Sequence, residues 1–286
     1  METPPLNDPQ LAIKGAGAYE TNCRVCHGSP AQPSPRVAQR MTPPPPYLPD
    51  VLSLWEDREL YYIVRHGIKL TGMPAWPSQG RDDEVWAMVA FLRTLPNLSA
   101  EQYRGLAAGE TGCGRCHGRG DGAFPKLAGQ SAGYIARSLE AYARSERHSG
   151  IMEPIAADLT AGNIQEFAEF YSSLPKSVVS AAPSPETAAA ILRGESIAQE
   201  GIPNQQVPAC AACHGPTAEP RDPVYLDHAG QHADYLVLQL ELFKNRQRGG
   251  TAYAHLMHRV ADGLNAGQMR DVALYYSYLG PNARTR

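Results

Sequence analysis

All six cysteines of the chain occur in three copies of one pattern, Cys-x-x-Cys-His-Gly. Each copy supplies two thiols and one imidazole, and these residues are Cys23, Cys26, His27, Cys113, Cys116, His117, Cys210, Cys213 and His214. Two thiols three positions apart, on one turn of backbone, can each add to one of the two vinyl groups of a haem, and the adjacent histidine is then directed at the iron. The pattern therefore predicts three covalently bound haem c groups.

Three other uses of paired cysteines explain the pattern less well. A thioredoxin-like redox pair requires only Cys-x-x-Cys and does not call for a histidine in every copy. A zinc ribbon takes two cysteine pairs to make one four-ligand site, so three pairs would leave one over. A disulfide scaffold does not account for the histidines. Covalent haem attachment is the interpretation that uses every residue of the pattern.

An internal repeat surrounds the motifs and indicates which elements position them. Residues 129–135 and 230–236 share Gly-Gln-x-Ala-x-Tyr followed by an aliphatic residue, and residues 152–159 and 257–264 share Met-x-x-(Ile/Val)-Ala-x-x-Leu. Each repeat closes with apolar residues at helical spacing, and the first repeat has the same closing helix around residues 85–92. We find no convincing strand pattern and therefore expect an all-α fold.

The repeats predict three domains, at residues 1–97, 98–176 and 187–286, with a Ser-, Ala- and Pro-rich linker over 177–186. Domains this short are marginally stable on their own, and a covalently held haem would supply the apolar centre that each one lacks. Each repeat then consists of a helix leading into the haem motif, a loop, one or two middle helices, a methionine loop and a closing helix.

A haem iron with one histidine needs a sixth ligand or stays open. In the first repeat Met73 lies in a Gly-Met-Pro loop, where prolines stiffen the backbone and can hold a sulfur against the iron. The alternative, His66, lies in a stretch that looks helical and is expected at the surface. Met88 and Met269 fall on apolar faces of closing helices and are expected in the core. Met41 has no assigned role.

The second and third repeats offer methionine and histidine together. Met152 competes with His148, and Met257 competes with His255 and His258. When the repeats are aligned on the alanine that follows, only the methionines coincide. We therefore predict His/Met ligation at all three irons.

The predicted ligand set restricts the chemistry. Thioether ligation raises the haem potential relative to bis-histidine ligation, so three such centres would form a relatively high-potential chain. A full coordination sphere leaves no place for substrate or oxygen. We therefore expect an electron carrier and not an enzyme, with no catalytic residues.

On these residues the chain resembles class I cytochromes c. The second and third repeats are similar to the two-haem cytochromes of the c-four type, from the haem motif to the closing helix. The first repeat resembles single-haem domains with a Gly-Met-Pro-Ala-Trp loop, here residues 72–76, which also occur in cytochrome subunits of periplasmic dehydrogenases. The resemblance implies three tandem class I domains, each wrapped around one covalent haem, and a role in electron transfer.

The resemblance and the repeat also suggest further haem contacts. Pro125 matches the family's Pro-x-Leu-x-Gly-Gln loop, whose backbone commonly lines the haem. Tyr134 and Tyr235, and Arg147 and Arg248, fall at equivalent places in the repeat and could meet haem propionates, since a buried carboxylate gains from an arginine contact. The alternative is a core tyrosine and a solvated arginine.

Composition and charge exclude some function classes. With 43% hydrophobic and 19% charged residues the chain is globular, and a net charge of −3 lacks the basic footprint of a nucleic-acid binder. The longest apolar runs fall far short of the ~20 residues needed to cross a bilayer. Attachment of haem to cysteines takes place outside the cytoplasmic membrane, so we expect a periplasmic protein. The first residues lack a basic and apolar signal region, which suggests a mature or trimmed form.

Three functions compete at this stage. The first is a carrier between a quinol-oxidising complex or dehydrogenase and a terminal oxidase or reductase. The second is the cytochrome subunit of a periplasmic dehydrogenase. The third is a haem enzyme with one open iron, which three methionine candidates disfavour. The expected partners are a redox donor and acceptor, and a missing N-terminal segment or a partner complex could bring the protein to a membrane.

Overall fold

The computed structural model describes residues 3–108, 112–118, 120, 122–176, 182–216, 222 and 225–280. Within these residues the regular structure is helical, and β-type pairing is limited to two isolated bridges. The all-α fold predicted from the sequence is confirmed. No helix in this part of the chain has the length and apolar character required to span a membrane.

The described residues contain sixteen α-helices, and the three closing helices predicted from the repeat are present as α6, α11 and α16. The helices are α1 (Pro9–Ala18), α2 (Arg24–His27), α3 (Arg36–Gln39), α4 (Leu48–Val51), α5 (Asp57–His66), α6 (Asp82–Thr94), α7 (Ala100–Tyr103), α8 (Gly114–His117), α9 (Ala132–Ala143), α10 (Met152–Ala157), α11 (Ala161–Ser173), α12 (Pro185–Glu200), α13 (Ala211–His214), α14 (Ala233–Lys244), α15 (Ala254–Asp262) and α16 (Ala266–Tyr278). Single π-helical turns follow α1 and α7, at Tyr19–Cys23 and Arg104–Ala108, and 3-10 turns occupy Leu52–Leu54, Leu95–Asn97 and Pro203–Gln205.

The long helices begin where the sequence supplies caps. Helices α11 and α16 each start with a capping box, formed by Thr160 with Asn163 and by Asn265 with Gln268. In each box the side chains of the two residues accept each other's backbone N–H, which satisfies donors that the first helical turn leaves open. Ser184 caps α12 immediately before a proline. Local sequence therefore fixes the start of these helices.

The chain divides into two compact units. One consists of residues 1–124 with residues 149–151, and the other of residues 125–148 with residues 152–286. The three-domain boundaries stay predictions. In the predicted linker over 177–186, residues 177–181 lie outside the described residues. The last two residues of this linker, 185 and 186, are the first two residues of α12.

In the first unit, helix α1 crosses α6 in close contact. A Cβ atom on Gly15 would lie 2.1 Å from the carbonyl oxygen of Ala87, so the helices approach at a distance that only glycine permits. Next to this crossing the rings of Tyr19, Phe91 and Tyr103 pack together, with centroids 5.2–6.3 Å apart. All three side chains are fully buried. This cluster forms the core that supports the first motif.

In the second unit, helices α12 and α16 form an equivalent crossing. A Cβ atom on Gly194 would lie 2.0 Å from the carbonyl oxygen of Asp271. The core around this crossing includes Ile197, Leu236 and Met269. Met269 is therefore buried, as expected of a core methionine. The two crossings give the first and third repeats the same helical frame.

The second repeat is divided between the two compact units. Helix α7 and the π-helical turn after it pack in the first unit, where the turn contacts α1, whereas α9, α10 and α11 pack on one another in the second unit. Gly105, in the π-helical turn, corresponds in its distance from the haem motif to Gly15, yet a Cβ atom there would meet no heavy atom within 4 Å. Gly105 therefore does not lie at a close helix crossing of the kind formed by Gly15.

Candidate haem sites

Each motif folds its second cysteine and its histidine into a one-turn helix, namely α2, α8 and α13. The first cysteine stands immediately before that helix, so the two thiols lie one turn apart on the same face. None of the six cysteines is paired in a disulfide. Burial raises the pKa of Cys23 to about 12 and that of Cys210 to about 11, and it also raises the pKa of Cys113. Such thiols are protonated at neutral pH, so the first cysteine of each motif lacks the thiolate character of a redox nucleophile.

The first and third motif histidines are oriented by backbone carbonyls. The Nδ1 atom of His27 lies 2.9 Å from the carbonyl oxygen of Pro46, and Nδ1 of His214 lies 2.9 Å from that of Leu226. Because a carbonyl oxygen can only accept, Nδ1 must carry the proton in both rings. The Nε2 atoms then keep the lone pair that a metal requires, which is how metal-ligating imidazoles are usually held. Burial lowers the pKa of His27, which also favours the neutral ring.

The glycine after each of these two motifs is fixed by a buried tyrosine. The hydroxyl of Tyr19 donates to the carbonyl of Gly28 at 2.8 Å, and that of Tyr276 donates to the carbonyl of Gly215 at 2.8 Å. Both glycines have positive φ, of 68° and 72°, with an extended ψ, a backbone conformation that glycine adopts without strain and that ends α2 and α13. The sequence carries no signal for this role of Tyr276, because Gly215 lies 61 positions away in another element.

The second motif differs in its surroundings. His117 is half-buried, and its ring meets Phe124 edge-on at 6.1 Å between centroids. Cys116 lies against Gly17 of α1, where a Cβ atom would come within 3.1 Å of its sulfur. His117 belongs to the first compact unit, whereas Met152, its predicted axial partner, belongs to the second.

Met73 lies half-buried in the loop between α5 and α6. Its backbone N–H donates to the Thr71 hydroxyl at 3.1 Å, and its carbonyl accepts from Ile68 N–H at 3.2 Å. A Cβ atom on Gly72 would lie 2.0 Å from the terminal methyl of Met41, so Met41, which had no assigned role, packs directly on this loop. His66, the alternative ligand, is exposed at the end of α5, and its ring contacts Tyr62 at a tilt of 43° with the centroids 4.4 Å apart.

The other two predicted methionine ligands lie in helices instead of loops. Met152 is the first residue of α10 and Met257 is the fourth residue of α15, and both are half-buried. The reason is visible in the shared pattern, since Met-x-x-(Ile/Val)-Ala-x-x-Leu has the spacing of a helix face. The nearby His148 and His255 are exposed, and His258 hydrogen-bonds the Arg248 carbonyl through Nε2 at 2.9 Å.

The four predicted propionate contacts are brought together in the second unit. Arg147 donates to the hydroxyls of Tyr134 and Tyr235, both at 3.3 Å, and Arg248 donates to the hydroxyl of Tyr134 at 3.1 Å. Arg147 also donates to the Ser138 hydroxyl at 3.0 Å, while Arg248 donates to the side-chain oxygen of Gln239. The cluster combines equivalent residues of two repeats.

Both guanidiniums of this cluster are buried, with only 7% and 8% of Arg147 and Arg248 exposed. Within the described part of the chain, the side chains that hydrogen-bond to them or stack on them are phenols, a hydroxyl, an amide and the rings of Tyr142 and Phe243, with no carboxylate among them. Burial raises the pKa of Tyr134, but the two guanidiniums outweigh it and lower that pKa to about 7. Buried charges normally require a counter-ion, so this donor set suits an anion such as a propionate carboxylate.

A reciprocal pair of amides joins the loops that precede α9 and α14. Gln130 accepts from Asp227 N–H and donates to its carbonyl, both at 3.0 Å. Gln231 does the same with the backbone of Lys126, again at 3.0 Å for both bonds. Pro125 directly precedes Lys126 and is half-buried. The glutamines are the two copies of the repeated Gly-Gln, so the second and third repeats meet through equivalent residues.

Comparison with known proteins identifies similar sequences and folds. The family model described as cytochrome C oxidase, cbb3-type, subunit III matches residues 10–92. The chain is 33% identical to cytochrome c-552 of Acidithiobacillus ferridurans over 54% of its own length. The matched region spans 66% of that protein, just under two thirds of its length. It is 34% identical to the thiosulfate dehydrogenase electron acceptor of Thiomonas intermedia, over 56% of this chain and 75% of that one. The solved cytochrome c4 of Acidithiobacillus ferrooxidans is 32% identical with a TM-score of 0.51, covering 58% of this chain and 98% of its own.

Proposed function

This chain belongs to the cytochrome c family, with dihaem c4-type homologues, and we therefore propose that it carries electrons by means of three covalently bound haems. It is an electron carrier and not an enzyme, as its c4 relatives are. Bound haem iron supplies one-electron oxidation and reduction. The polypeptide attaches the group, orients the axial imidazole and neutralises the propionates.

The observation that carries this proposal is the orientation of the motif histidines. In the first and third repeats the same nitrogen of the imidazole donates to a backbone carbonyl at the same distance of 2.9 Å. This geometry makes each ring a neutral ligand with its second nitrogen available. Two independent copies of the arrangement support a shared role for all three motifs.

We assign the sixth position to Met73, Met152 and Met257. All three are half-buried, whereas the competing His66, His148 and His255 are exposed. The fourth competitor, His258, is half-buried, but its Nε2 already hydrogen-bonds the Arg248 carbonyl. The assignment gives each iron a closed coordination sphere of relatively high potential, which suits a relay.

Arg147, Arg248, Tyr134 and Tyr235 are proposed to hold haem propionates of the second and third repeats. The two buried guanidiniums already donate to the phenols, and a carboxylate would provide a full negative charge against them. Pro125 is proposed to line a haem through its backbone.

The partners are proposed to be redox proteins of the periplasm, with a quinol-oxidising complex or dehydrogenase as donor and a terminal oxidase or reductase as acceptor. The similarity to a thiosulfate dehydrogenase electron acceptor favours a dehydrogenase as donor. It equally favours a second candidate, in which the protein is the cytochrome subunit of such a dehydrogenase. Analytical ultracentrifugation of this protein mixed with a thiosulfate dehydrogenase distinguishes the two candidates. A subunit would sediment with the dehydrogenase as a stable complex, whereas a carrier would bind only transiently and sediment separately.

The test is the far-red charge-transfer band of methionine sulfur on ferric haem, measured per haem in the oxidised holoprotein. We expect intensity for three haems, and the loss of about one third in each of Met73→Ala, Met152→Ala and Met257→Ala. Met88→Leu is the matched control, because Met88 is a core residue with 1% exposure and a conservative swap is tolerated there. Intensity for two haems, or an alanine variant that keeps the full band, would overturn the ligand assignment.

A further inference from the structure

A buried carboxylate binds the segment that immediately precedes Met152. Glu84, in the first turn of α6, has only 2% of its side chain exposed. One of its oxygens accepts from the Ser149 hydroxyl at 2.6 Å, and the other accepts from Gly150 N–H at 2.6 Å. Glu84 and residues 149–151 lie in the same compact unit, although 65 positions separate Glu84 from Ser149.

The remaining lone pairs of Glu84 are also used. Arg81 pairs with it at 2.9 Å, and the indole Nε1 of Trp76 donates to it at 3.2 Å. Four donors on one carboxylate leave it no freedom to turn, and hydrogen bonds to a charged group are about twice as strong as neutral ones. Glu84 therefore fixes the segment in one place instead of merely touching it.

Trp76 and Asn22 complete the binding site for Gly150. A Cβ atom on Gly150 would lie 2.0 Å from the Trp76 Nε1 atom, so the indole packs directly on the glycine backbone and excludes any side chain. The Asn22 amide donates to the Gly150 carbonyl at 3.3 Å. Trp76 comes three residues after Met73, and Asn22 comes immediately before Cys23. The segment is thus held by residues next to the first motif and its methionine loop.

The third repeat provides an internal comparison. Only four residues separate Arg147 from Met152, whereas eight separate Arg248 from Met257. The short connection leaves little slack between the bound segment and Met152, which follows Ile151 directly. The position of residues 149–151 therefore restricts the position of the Met152 sulfur.

We propose that Glu84, together with Trp76, is a positioning residue that holds residues 149–151 and thereby sets how firmly Met152 occupies its axial site. This inference rests on the proposed ligation by Met152. Its consequence is that a residue of the first repeat controls the ligand strength, and with it the potential, at the second motif, while leaving Met257 unaffected.

The experiment is an imidazole titration of the oxidised holoprotein, followed by loss of the far-red methionine band. Imidazole competes with methionine for iron, so a loosened ligand is displaced at lower concentration. For Glu84→Gln we expect one of the three phases to shift to a concentration lower by ~10-fold or more, because a charged, buried hydrogen-bond acceptor is lost. Trp76→Phe removes the Nε1 donor and keeps an aromatic side chain, and we expect a smaller shift, ~3-fold, in the same phase.

Asp83→Asn is the matched control. Asp83 stands in the same helical turn and binds the same Arg81, and its other ion-pair partner is Lys14 of α1. It should leave all three phases in place. A Glu84→Gln titration that matches wild type, or a shift in a phase that persists in Met152→Ala, would overturn the inference. Because Met152→Ala is measured first, its failure to remove a phase would refute the proposed ligation separately.

Discussion

Replacing Gly15 by alanine should loosen the crossing of α1 and α6. The new Cβ would lie 2.1 Å from the Ala87 carbonyl oxygen and 2.7 Å from the Phe91 Cβ, and neither atom is the mobile end of a side chain. The helices must therefore separate by about 1 Å. Overpacking of this kind costs ~1–3 kcal/mol, and a backbone obstacle places the cost near the upper end. Alanine gains up to ~1 kcal/mol of helix propensity, so the net loss should be about 2 kcal/mol.

The assay is thermal unfolding of the oxidised holoprotein followed by far-UV circular dichroism. A loss of about 2 kcal/mol corresponds to a decrease in Tm of roughly 5–10 °C for a unit of this size. Gly194→Ala should behave in the same way, because its Cβ would lie 2.0 Å from the Asp271 carbonyl oxygen.

Gly105→Ala is the control for helix propensity without a clash, since a Cβ there meets no heavy atom within 4 Å. Alanine has a more favourable helix propensity than glycine, on the order of 1 kcal/mol. The Tm of Gly105→Ala should therefore not fall more than about 2 °C below that of the wild type, and it should rise where this propensity is realised. If Gly15→Ala and Gly105→Ala had the same Tm, the account of the helix crossing would be refuted.

Three further changes have defined outcomes. Gln130→Ala and Gln231→Ala each remove three hydrogen bonds and leave backbone groups buried without these partners. Each should therefore lower the free energy of unfolding by ~1–3 kcal/mol in urea titrations, and equal losses are expected from their equivalence. Tyr276→Phe leaves a buried carbonyl unsatisfied and should cost about 1 kcal/mol in the same assay, whereas no change would contradict the role of its hydroxyl. Burial raises the pKa of Asp83, but Lys14 and a neighbouring arginine outweigh it and hold that pKa well below its usual range. Charged Asp83 therefore stabilises the fold above about pH 4, so Asp83→Asn should cost ~1 kcal/mol at pH 7, and the gap to wild type should narrow below pH 4 instead of widening.

Local features of the sequence predict the helices and the motifs well. The Cys-x-x-Cys-His pattern, the apolar periodicity of α6, α11 and α16, and the cap residues such as Thr160 act over a few positions, so they are legible in one chain. The internal repeat also predicts a pair of functional residues, because Arg147 and Arg248 occupy equivalent positions in the second and third repeats.

Long-range contacts are what the sequence does not disclose. Nothing local indicates that Gln130 binds the backbone of Asp227, 97 positions away, or that Glu84 binds Gly150, 66 positions away. An acidic first turn is also what any helix N-terminus favours, so Glu84 carries no distinct signal. The expected methionine loops of the second and third repeats are helices, because the predicted ligand and its apolar neighbours share one helical pattern.

The intact mass of the purified, denatured holoprotein tests the central claim most directly. Thioether-linked haem survives denaturation, so its mass adds to that of the polypeptide once for every occupied motif. The account predicts a single species with three haem masses and no free thiol among the six cysteines. A homogeneous species with two haem masses and two free thiols would contradict it.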